Sequence, residues 1–273
     1  MIVGLIGAGN MARALARGWA AAEAGPDDLL LSDVDAERAR ATADEVDGKP
    51  VSSRDLVESA DLVVLAVKPG ALDAVAEEVR VTVSDRDLPV VSILGATTTA
   101  RVEDAFGSGI AVLRFMPNIA AEVRGGTLCY APGRHVSPGL ERDVLDLFGL
   151  LGEIVPVEEK QMDAATALSG CGPAFFSLVV EALVDAGVKE GLTPQRASEL
   201  AISTMGGSAE LLRKHAGNTL LIKRTVASPG GTTAAGLAAL EEHGLRAAFA
   251  AAVEAVVQKA AEAQAGAPSG GAT

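Results

Sequence analysis

The chain is poor in the residues that build disulfide scaffolds, metal sites and aromatic cores. Its 273 residues include two cysteines, three histidines, one tryptophan and one tyrosine. Cys129 and Cys171 lie far apart and form no CxxC pair, which argues against a disulfide scaffold and predicts a reducing, cytoplasmic setting. The histidines share no ligand spacing, so no metal site is expected. The cores must therefore be mainly aliphatic.

Positive charge is scarce as well. Lysine and arginine total 23 against 36 aspartates and glutamates, which gives a formal net charge of −13. Such a surface repels a phosphate backbone, so we expect no nucleic-acid partner. No apolar run approaches the length of a membrane span, and the first residues are strand-like rather than a leader, so no membrane partner is expected either.

The N-terminal segment has the pattern of a dinucleotide-binding turn. The apolar run Ile2–Ile6 leads into Gly7-Ala8-Gly9-Asn10-Met11-Ala12, and a helical pattern follows. Gly7 permits the tight turn, Gly9 lets a pyrophosphate approach the backbone, and Ala12 lets the helix pack closely on the strand. The sequence therefore predicts a dinucleotide site, and a tight turn without a ligand is the alternative.

The choice between NADH and NADPH depends on the end of the second strand. Residues 29–32 form an apolar run that ends at Asp33, about where a ribose-binding acid is expected. A carboxylate there accepts a hydrogen bond from a free 2′-hydroxyl and repels a 2′-phosphate, which favours NADH. Arg38 and Arg40 are close enough to bind a 2′-phosphate instead, or simply form a solvated helix face. Both cofactors remain open.

Further strands predict an α/β fold with a parallel sheet. Apolar runs at residues 61–67, 89–94 and 111–116 alternate with helical stretches, as in βαβ units. Ligands on such sheets bind at the carboxyl ends of the strands, and Lys68, Gly95 and Asn118 fall there. Taken singly, each of the three fits an ordinary turn equally well.

The second half of the chain is predicted to be all helical. Beyond residues 154–157 the sequence shows only helical periodicities, at residues 161–168, 174–190, 194–215, 219–226, 232–243 and 245–263. We therefore predict a dinucleotide-binding domain at 1–156, a helical domain at 157–264 and a disordered tail at 265–273. Residues 175–183 are almost entirely apolar, and so small a domain has little interior to cover them. A homodimer would supply the cover.

A glycine-rich loop opens one of these helices and suits a small carboxylate. In Ser228-Pro229-Gly230-Gly231-Thr232-Thr233 the two glycines permit a turn with positive φ. The following helix adds unpaired N–H donors, and the two threonine hydroxyls can reach a second polar atom of the same ligand. An ordinary turn and helix cap is the alternative.

Five motifs taken together resemble pyrroline-5-carboxylate reductase, over residues 1 to about 264. They are Gly7-Ala8-Gly9-Asn10-Met11-Ala12, Ala66-Val67-Lys68-Pro69, Arg114-Phe115-Met116-Pro117-Asn118, Leu168-Ser169-Gly170-Cys171-Gly172-Pro173-Ala174 and Ser228-Pro229-Gly230-Gly231-Thr232-Thr233. The resemblance implies a Rossmann domain, an all-helical dimerisation domain and dimers that often assemble into decamers. It also implies reduction of L-1-pyrroline-5-carboxylate to L-proline by NADPH or NADH. The family often has serine where Cys171 stands.

The resemblance also implies roles for individual residues. For the cofactor they are Ile6, Gly7, Ala8, Gly9, Asn10 and Met11 at the pyrophosphate, Asp33 at the ribose, Ser53 near the adenine, and Ala66, Val67, Lys68, Pro69, Ile93, Leu94, Gly95 and Asn118 along the cleft. For the substrate they are Thr225, Ser228, Gly230, Gly231, Thr232 and Thr233, with Thr233 as the catalytic residue that meets the ring nitrogen.

The chemistry agrees, because a protonated imine brings its own proton and needs no strong general base. Two alternatives stay open at this stage. A 3-hydroxyacid dehydrogenase shares the architecture, but its Lys-x-x-x-Asn arrangement would fall on Lys214 and Asn218 with the helix-breaking Gly217 between them. A nicotinamide-binding protein without turnover is the other.

Overall fold

The computed structural model describes residues 1–107 and 109–265. Strands and helices alternate up to residue 156, and the described chain beyond it is helical. This is the order that the sequence predicted. The predicted disordered tail, residues 265–273, lies outside the described residues except for Ala265, which ends the last helix.

Eight strands form one sheet. Their bounds are Ile2–Ile6 (β1), Asp28–Ser32 (β2), Lys49–Pro50 (β3), Leu62–Leu65 (β4), Val90–Ser92 (β5), Val112–Met116 (β6), Gly126–Pro132 (β7) and Gly152–Pro156 (β8). The order across the sheet is β3-β2-β1-β4-β5-β6-β7-β8, and every pair is parallel except β6 with β7. The strand order reverses direction between β1 and β4, which is where ligands bind on open parallel sheets.

Helices pack on both faces of this sheet. They are Asn10–Ala20 (α1), Ala36–Val46 (α2), Ser53–Ser59 (α3), Leu72–Asp85 (α4), Thr99–Phe106 (α5), Pro138–Gly149 (α6) and Met162–Ser169 (α7). One face buries Leu5 and Leu15 with the ring cluster of Trp19, Phe115 and Phe148, whose last two rings stack at 4.2 Å. The other face is aliphatic around α3, α4 and α5 apart from Phe106. Burial on both faces explains why these strands read as continuous apolar runs.

The remaining helices are Gly172–Lys189 (α8), Pro194–Lys214 (α9), Thr219–Val226 (α10), Thr232–Glu242 (α11) and Leu245–Ala265 (α12). Their positions agree with the predicted periodicities to within two residues at every end. The contacts divide the chain into two compact units. One comprises Met1–Pro173 with residues 256–265, and the other comprises Ala174–Ala255.

The sequence did not predict the antiparallel edge of the sheet. β7 contains Gly126 and Pro132, which are poor strand formers, yet Leu128 to Ala131 are buried. β7 runs back along β6, and β8 pairs with it in parallel. Tertiary burial therefore outweighs weak local strand preference here.

One stretch has the length and composition of a membrane-spanning helix. Glu159–Lys189 has a most apolar window with mean hydropathy of 1.7, of which 11% is buried. The expectation that no apolar run approaches a membrane span is therefore wrong by this measure. The sequence predicted two separate helices here, with a break between α7 and α8. In the structure, α8 begins three residues after the last residue of α7.

Candidate cofactor and substrate sites

The glycine-rich turn after β1 fits a pyrophosphate. Gly7 has φ of +103°, its N–H donates to the Ser32 carbonyl at 2.7 Å, and a Cβ there would lie 2.5 Å from the Ala66 carbonyl oxygen. At Gly9 an added Cβ would meet no described atom within 4 Å, so the space beside the turn is open. Gly9 caps α1 without a side-chain hydrogen bond, which leaves backbone N–H donors and the positive end of the helix dipole for an anion.

Asp33 is built into this turn. Its carboxylate is largely buried, with Oδ2 accepting the Ala8 N–H at 2.8 Å and Oδ1 accepting the Asp35 N–H at 2.9 Å. The Arg38 guanidinium lies 3.5 Å from Oδ1. The residue that the sequence assigns to the ribose therefore also holds the end of β2 against the glycine-rich turn.

A cavity of about 400 Å³ lies between the turn and α2. Its lining includes Ala8, Gly9 and Asn10 from the turn, Arg13 from α1, and Arg38 and Thr42 from α2. Among the described residues that line it, the two arginines are the charged ones. Arg13 was not predicted as a site residue, although its position one helical turn after Asn10 places both on the same helix face.

The arginines at this cavity have acidic neighbours. Arg13 binds Glu45 through Nε at 2.6 Å and also through Nη2, and Arg17 joins the same carboxylate. The hydrogen bond from Arg13 lowers the pKa of Glu45, against the opposing effect of desolvation, because it favours the ionised carboxylate. Ion pairs with Glu45 thus connect α1 to α2 beside the cavity.

The next two predicted segments meet the turn at the same edge of the sheet. The Ala66 N–H donates to the Ile6 carbonyl at 2.8 Å, and the Ile93 N–H donates to the Leu65 carbonyl at 3.1 Å. Ala66, Val67, Lys68 and Pro69 therefore follow β4 beside the turn, and Ile93, Leu94 and Gly95 follow β5 one strand further on. The structure brings these predicted cofactor residues together.

Ser53 and Asn118 lie further from the turn. Ser53 begins α3, and its hydroxyl is 3.0 Å from that of Ser32 at the end of β2. Asn118 is buried, with Nδ2 donating to the Ser169 carbonyl at 3.0 Å and Oδ1 accepting the Thr127 N–H at 3.2 Å. Asn118 thus joins the end of β6 to the end of α7.

A buried ion pair at the same edge was not predicted as a site feature. The Arg114 side chain is 2% exposed, and its Nη1 donates to Glu159 Oε1 at 2.7 Å. The same oxygen accepts the Thr99 N–H at 3.2 Å. Among the described residues, Arg114 Nε and Nη2 have no hydrogen-bond partner. The pair connects β6, the start of α5 and the turn before α7.

The predicted substrate loop lies in the helical unit. The Gly231 N–H donates to the Ser228 carbonyl at 3.0 Å, and Gly230 has φ of +72°. These features define a tight turn that requires glycine at the third position. A Cβ on Gly231 would lie 2.5 Å from Ser228 Oγ, so a larger residue there would require the Ser228 side chain to move.

α11 begins directly after this turn with an open N-terminus. Gly231 provides no side-chain cap, and Ala235 is the first residue to donate back, to the Gly231 carbonyl at 3.2 Å. Within the described chain, the N–H groups of Thr232 and Thr233 have no hydrogen-bond acceptor. The hydroxyls of the two threonines have no hydrogen-bond partner there either. Thr225, one turn earlier, donates its hydroxyl to the Leu221 carbonyl at 2.9 Å. The loop therefore leaves helix N-terminal donors open, as an anion site requires.

A glycine-rich dinucleotide turn on a doubly wound sheet, followed by a helical domain, is the architecture of a nicotinamide-dependent oxidoreductase. Comparison with known proteins agrees. Residues 159–263 match the family described as "Pyrroline-5-carboxylate reductase dimerisation", and residues 2–95 match "NADP oxidoreductase coenzyme F420-dependent".

Individual relatives are similar over nearly the whole chain. A pyrroline-5-carboxylate reductase of Mycobacterium leprae is 39% identical over 93% of both chains. One from Methanosarcina acetivorans is 37% identical over 90% of this chain and 92% of its own. The crystal structure of Plasmodium falciparum pyrroline carboxylate reductase with NADP bound has a TM-score of 0.87 and 32% identity, covering 97% of this chain and 98% of its own. The chain belongs to the pyrroline-5-carboxylate reductase family.

Membership confirms the resemblance drawn from the motifs, and with it the fold class. The protein is an NAD(P)H-dependent oxidoreductase that acts on a small molecule, with a Rossmann domain followed by an all-helical dimerisation domain, and it forms a homo-oligomer. The dimerisation match covers Glu159–Lys189, the stretch with membrane-like composition. This match favours a subunit interface over a membrane span for that apolar stretch.

Proposed function

We propose that this protein reduces L-1-pyrroline-5-carboxylate to L-proline with NADPH or NADH as the hydride donor, the last step of proline synthesis. The observation that carries the proposal is the open N-terminus of α11 behind the Ser228–Gly231 turn. Its N–H groups suit a carboxylate. The adjacent hydroxyls suit a second polar atom of the same small molecule.

For the substrate, the carboxylate binds the open N–H groups at the start of α11, behind the turn formed by Ser228, Gly230 and Gly231. Thr232 stands beside it, and Thr225 lines the same end of α10. The Thr233 hydroxyl meets the ring nitrogen, which makes Thr233 the residue in contact with the reacting atoms. Its free hydroxyl supports this role, since it can accept from the protonated imine and follow the nitrogen as it becomes an amine.

For the cofactor, the residues present fit a dinucleotide at the carboxyl edge of the sheet. Gly7 to Met11 hold the pyrophosphate, Asp33 and Ser53 lie on the adenosine side, and Lys68, Gly95 and Asn118 belong to the segments on the nicotinamide side. The open space at Gly9 supports the first assignment. The hydrogen bonds that align the turn with β4 and β5 support the last.

The chemistry requires little more than positioning. When bound, the reduced nicotinamide supplies a hydride to the imine carbon, and the proton already on the imine nitrogen becomes the amine proton. The chain therefore needs to orient a ring and exclude water rather than to supply a strong base. Thr233 holds the nitrogen during this change.

We further propose that the homo-oligomer is a dimer that can assemble into a decamer. We also propose that the protein works in the cytoplasm without nucleic-acid or membrane partners. The net charge of −13 supports the exclusion of nucleic acid. Cys129 and Cys171 are both unpaired, which supports a reducing compartment. The proposed domain bounds remain 1–156 and 157–264.

The test is a steady-state assay of the purified protein with pyrroline-5-carboxylate and each reduced nucleotide. Proline should form in equal amount to the nucleotide oxidised. The matched control is 1-pyrroline, the same ring without the carboxylate. Its kcat/KM should be lower by ten- to a hundredfold, since hydrogen bonds to a charged group contribute about 1.5–3 kcal/mol. Nucleotide binding without turnover of either imine would contradict the proposal.

A further inference from the structure

We infer that Arg114 and Glu159 are positioning residues for the nicotinamide half of the cofactor. Their buried ion pair fixes the loop between β5 and α5, residues 93–98, which the proposed function places on the nicotinamide side. The inference rests on that proposed site. It gives a role to two residues that the proposed function leaves without one.

The ion pair lies at both ends of this loop. β5 ends at Ser92, and the strand register places Arg114 of β6 directly beside it. α5 begins at Thr99, whose N–H donates to Glu159 Oε1 at 3.2 Å, and the same oxygen accepts from Arg114 Nη1 at 2.7 Å. The pair therefore connects the residue before the loop to the residue after it.

The loop between these two ends needs such anchors. Ile93 is aligned with β4 by its hydrogen bond to the Leu65 carbonyl, and the Thr97 hydroxyl donates to the Gly95 carbonyl at 3.1 Å. Ala96 has φ of +53°, a left-handed conformation that a residue with a Cβ keeps only when its surroundings enforce it. A Cβ on Gly95 would meet no described atom within 4 Å, so one side of the loop is open. Its conformation therefore depends on how its ends are held.

The ion pair is poorly suited to stabilising the fold as a whole. The Arg114 side chain is 2% exposed, and among the described residues its Nε and Nη2 and the Oε2 of Glu159 have no hydrogen-bond partner. The cost of removing two charges from water can exceed what such a pair returns, so an apolar pair of similar size is often as stable or more stable. The geometry that the pair specifies is therefore the better explanation for its presence.

The test uses three variants of the full-length protein. The double variant Arg114→Met/Glu159→Met removes both charges together and keeps side chains of similar length. Glu159→Gln keeps the oxygen that accepts from Arg114 and Thr99, and replaces only Oε2, which has no described partner. Arg101→Met is the matched control, because it makes the same substitution on α5 in an exposed ion pair with Asp73.

Titration calorimetry compares each nucleotide with the same molecule lacking nicotinamide, in the absence of imine. NAD⁺ is paired with ADP-ribose, and NADP⁺ with 2′-phospho-ADP-ribose. The double variant should bind the two complete nucleotides on the order of tenfold more weakly, as for the loss of about one hydrogen bond, and the two shorter molecules within about twofold of wild type. Arg101→Met should match wild type for all four.

Thermal melting separates positioning from stability. The double variant should not lower the melting temperature, since both charges are removed together. Glu159→Gln should lower it, because Arg114 stays buried without a counter-charge, yet it should bind NAD⁺ within about twofold of wild type because the two hydrogen bonds remain. The two variants are thus expected to show opposite patterns.

A lower melting temperature of the double variant would overturn the inference, because the pair would then stabilise the fold in general. Equal losses for the nucleotides and the molecules without nicotinamide, or no loss for either, would overturn it too. Failure of the proposed function looks different. The double variant would then lose affinity for the complete nucleotides as expected, while wild type formed no proline from pyrroline-5-carboxylate.

Discussion

The two compact units bury their apolar residues to very different extents. In Met1–Pro173 the central strands β4, β5 and β6 are fully buried and both faces of the sheet are covered by helices. In Ala174–Ala255 the described helices leave Phe176, Leu178 and Ile202 more than half exposed, and only Ala197 is buried among their apolar side chains. The first unit completes its core within one chain, whereas the second requires another subunit.

The same division separates the two kinds of ligand. The first unit carries a turn fixed by hydrogen bonds between neighbouring strand ends. The second carries a loop at one helix end whose donors have no described partner. The proposed cofactor site depends on the rigidity of its turn, whereas the proposed substrate site depends on open donors in the dimerisation domain. Variants can test these two properties separately.

The largest effect should come from placing a charge on the exposed helix of the second unit. Phe176→Asp should convert the oligomer to monomers, because Phe176 is 57% exposed in one chain and a buried unpaired charge costs several kcal/mol at an interface. Light scattering at matched salt and concentration measures the change. Val34→Asp, at a fully exposed position in the first unit, is the control and should leave the assembly intact. A variant Phe176→Asp that stays oligomeric would place the interface elsewhere.

The second prediction concerns Thr233. Thr233→Ala and Thr233→Val should each lower kcat/KM for the imine by about ten- to a hundredfold, because the hydrogen bond to a partly charged nitrogen is lost. Valine keeps the branched shape and removes only the hydroxyl. Cofactor affinity, measured by fluorescence quenching, should hardly change. An equal loss of cofactor affinity would contradict the prediction, because the loop would then bind the cofactor and not the substrate.

The helices were predictable because their ends carry local signals. Asn218 accepts the Leu221 N–H and starts α10 at Thr219, and Gly231 starts α11 at Thr232. β7 was missed because Gly126 and Pro132 conceal a strand that only its neighbours stabilise. Asn118 was correctly placed after β6, but its partner Ser169 is 51 residues away, and no local pattern encodes such a contact. The meeting of Arg13 with α2 escaped prediction for the same reason.

The third prediction tests how firmly the first unit fixes its turn. Gly7→Ala should lower the melting temperature, because φ of +103° and a contact of 2.5 Å with the Ala66 carbonyl strain any Cβ by about 1–3 kcal/mol. Gly9→Ala should keep the melting temperature, since the space around its Cβ is open, and should weaken nucleotide binding instead. Equal melting temperatures for wild type and Gly7→Ala would show that the turn is not rigid.

The smallest effect should come from Asp33, where the cofactor platform depends on a single carboxylate. Asp33→Asn keeps the shape but replaces one acceptor oxygen by an NH2 group, so either the Ala8 or the Asp35 N–H loses its partner. The lost bond holds the turn and not the nucleotide itself, so only part of its energy reaches binding, and both nucleotides should bind about two- to tenfold more weakly. The assembly and the KM for the imine should not change, because the loop at Thr233 belongs to the other unit. Titration calorimetry with NADP⁺ and NAD⁺ measures the change in affinity for each nucleotide. If NAD⁺ alone lost affinity, Asp33 would bind the free ribose hydroxyl directly and would favour NADH as the cofactor.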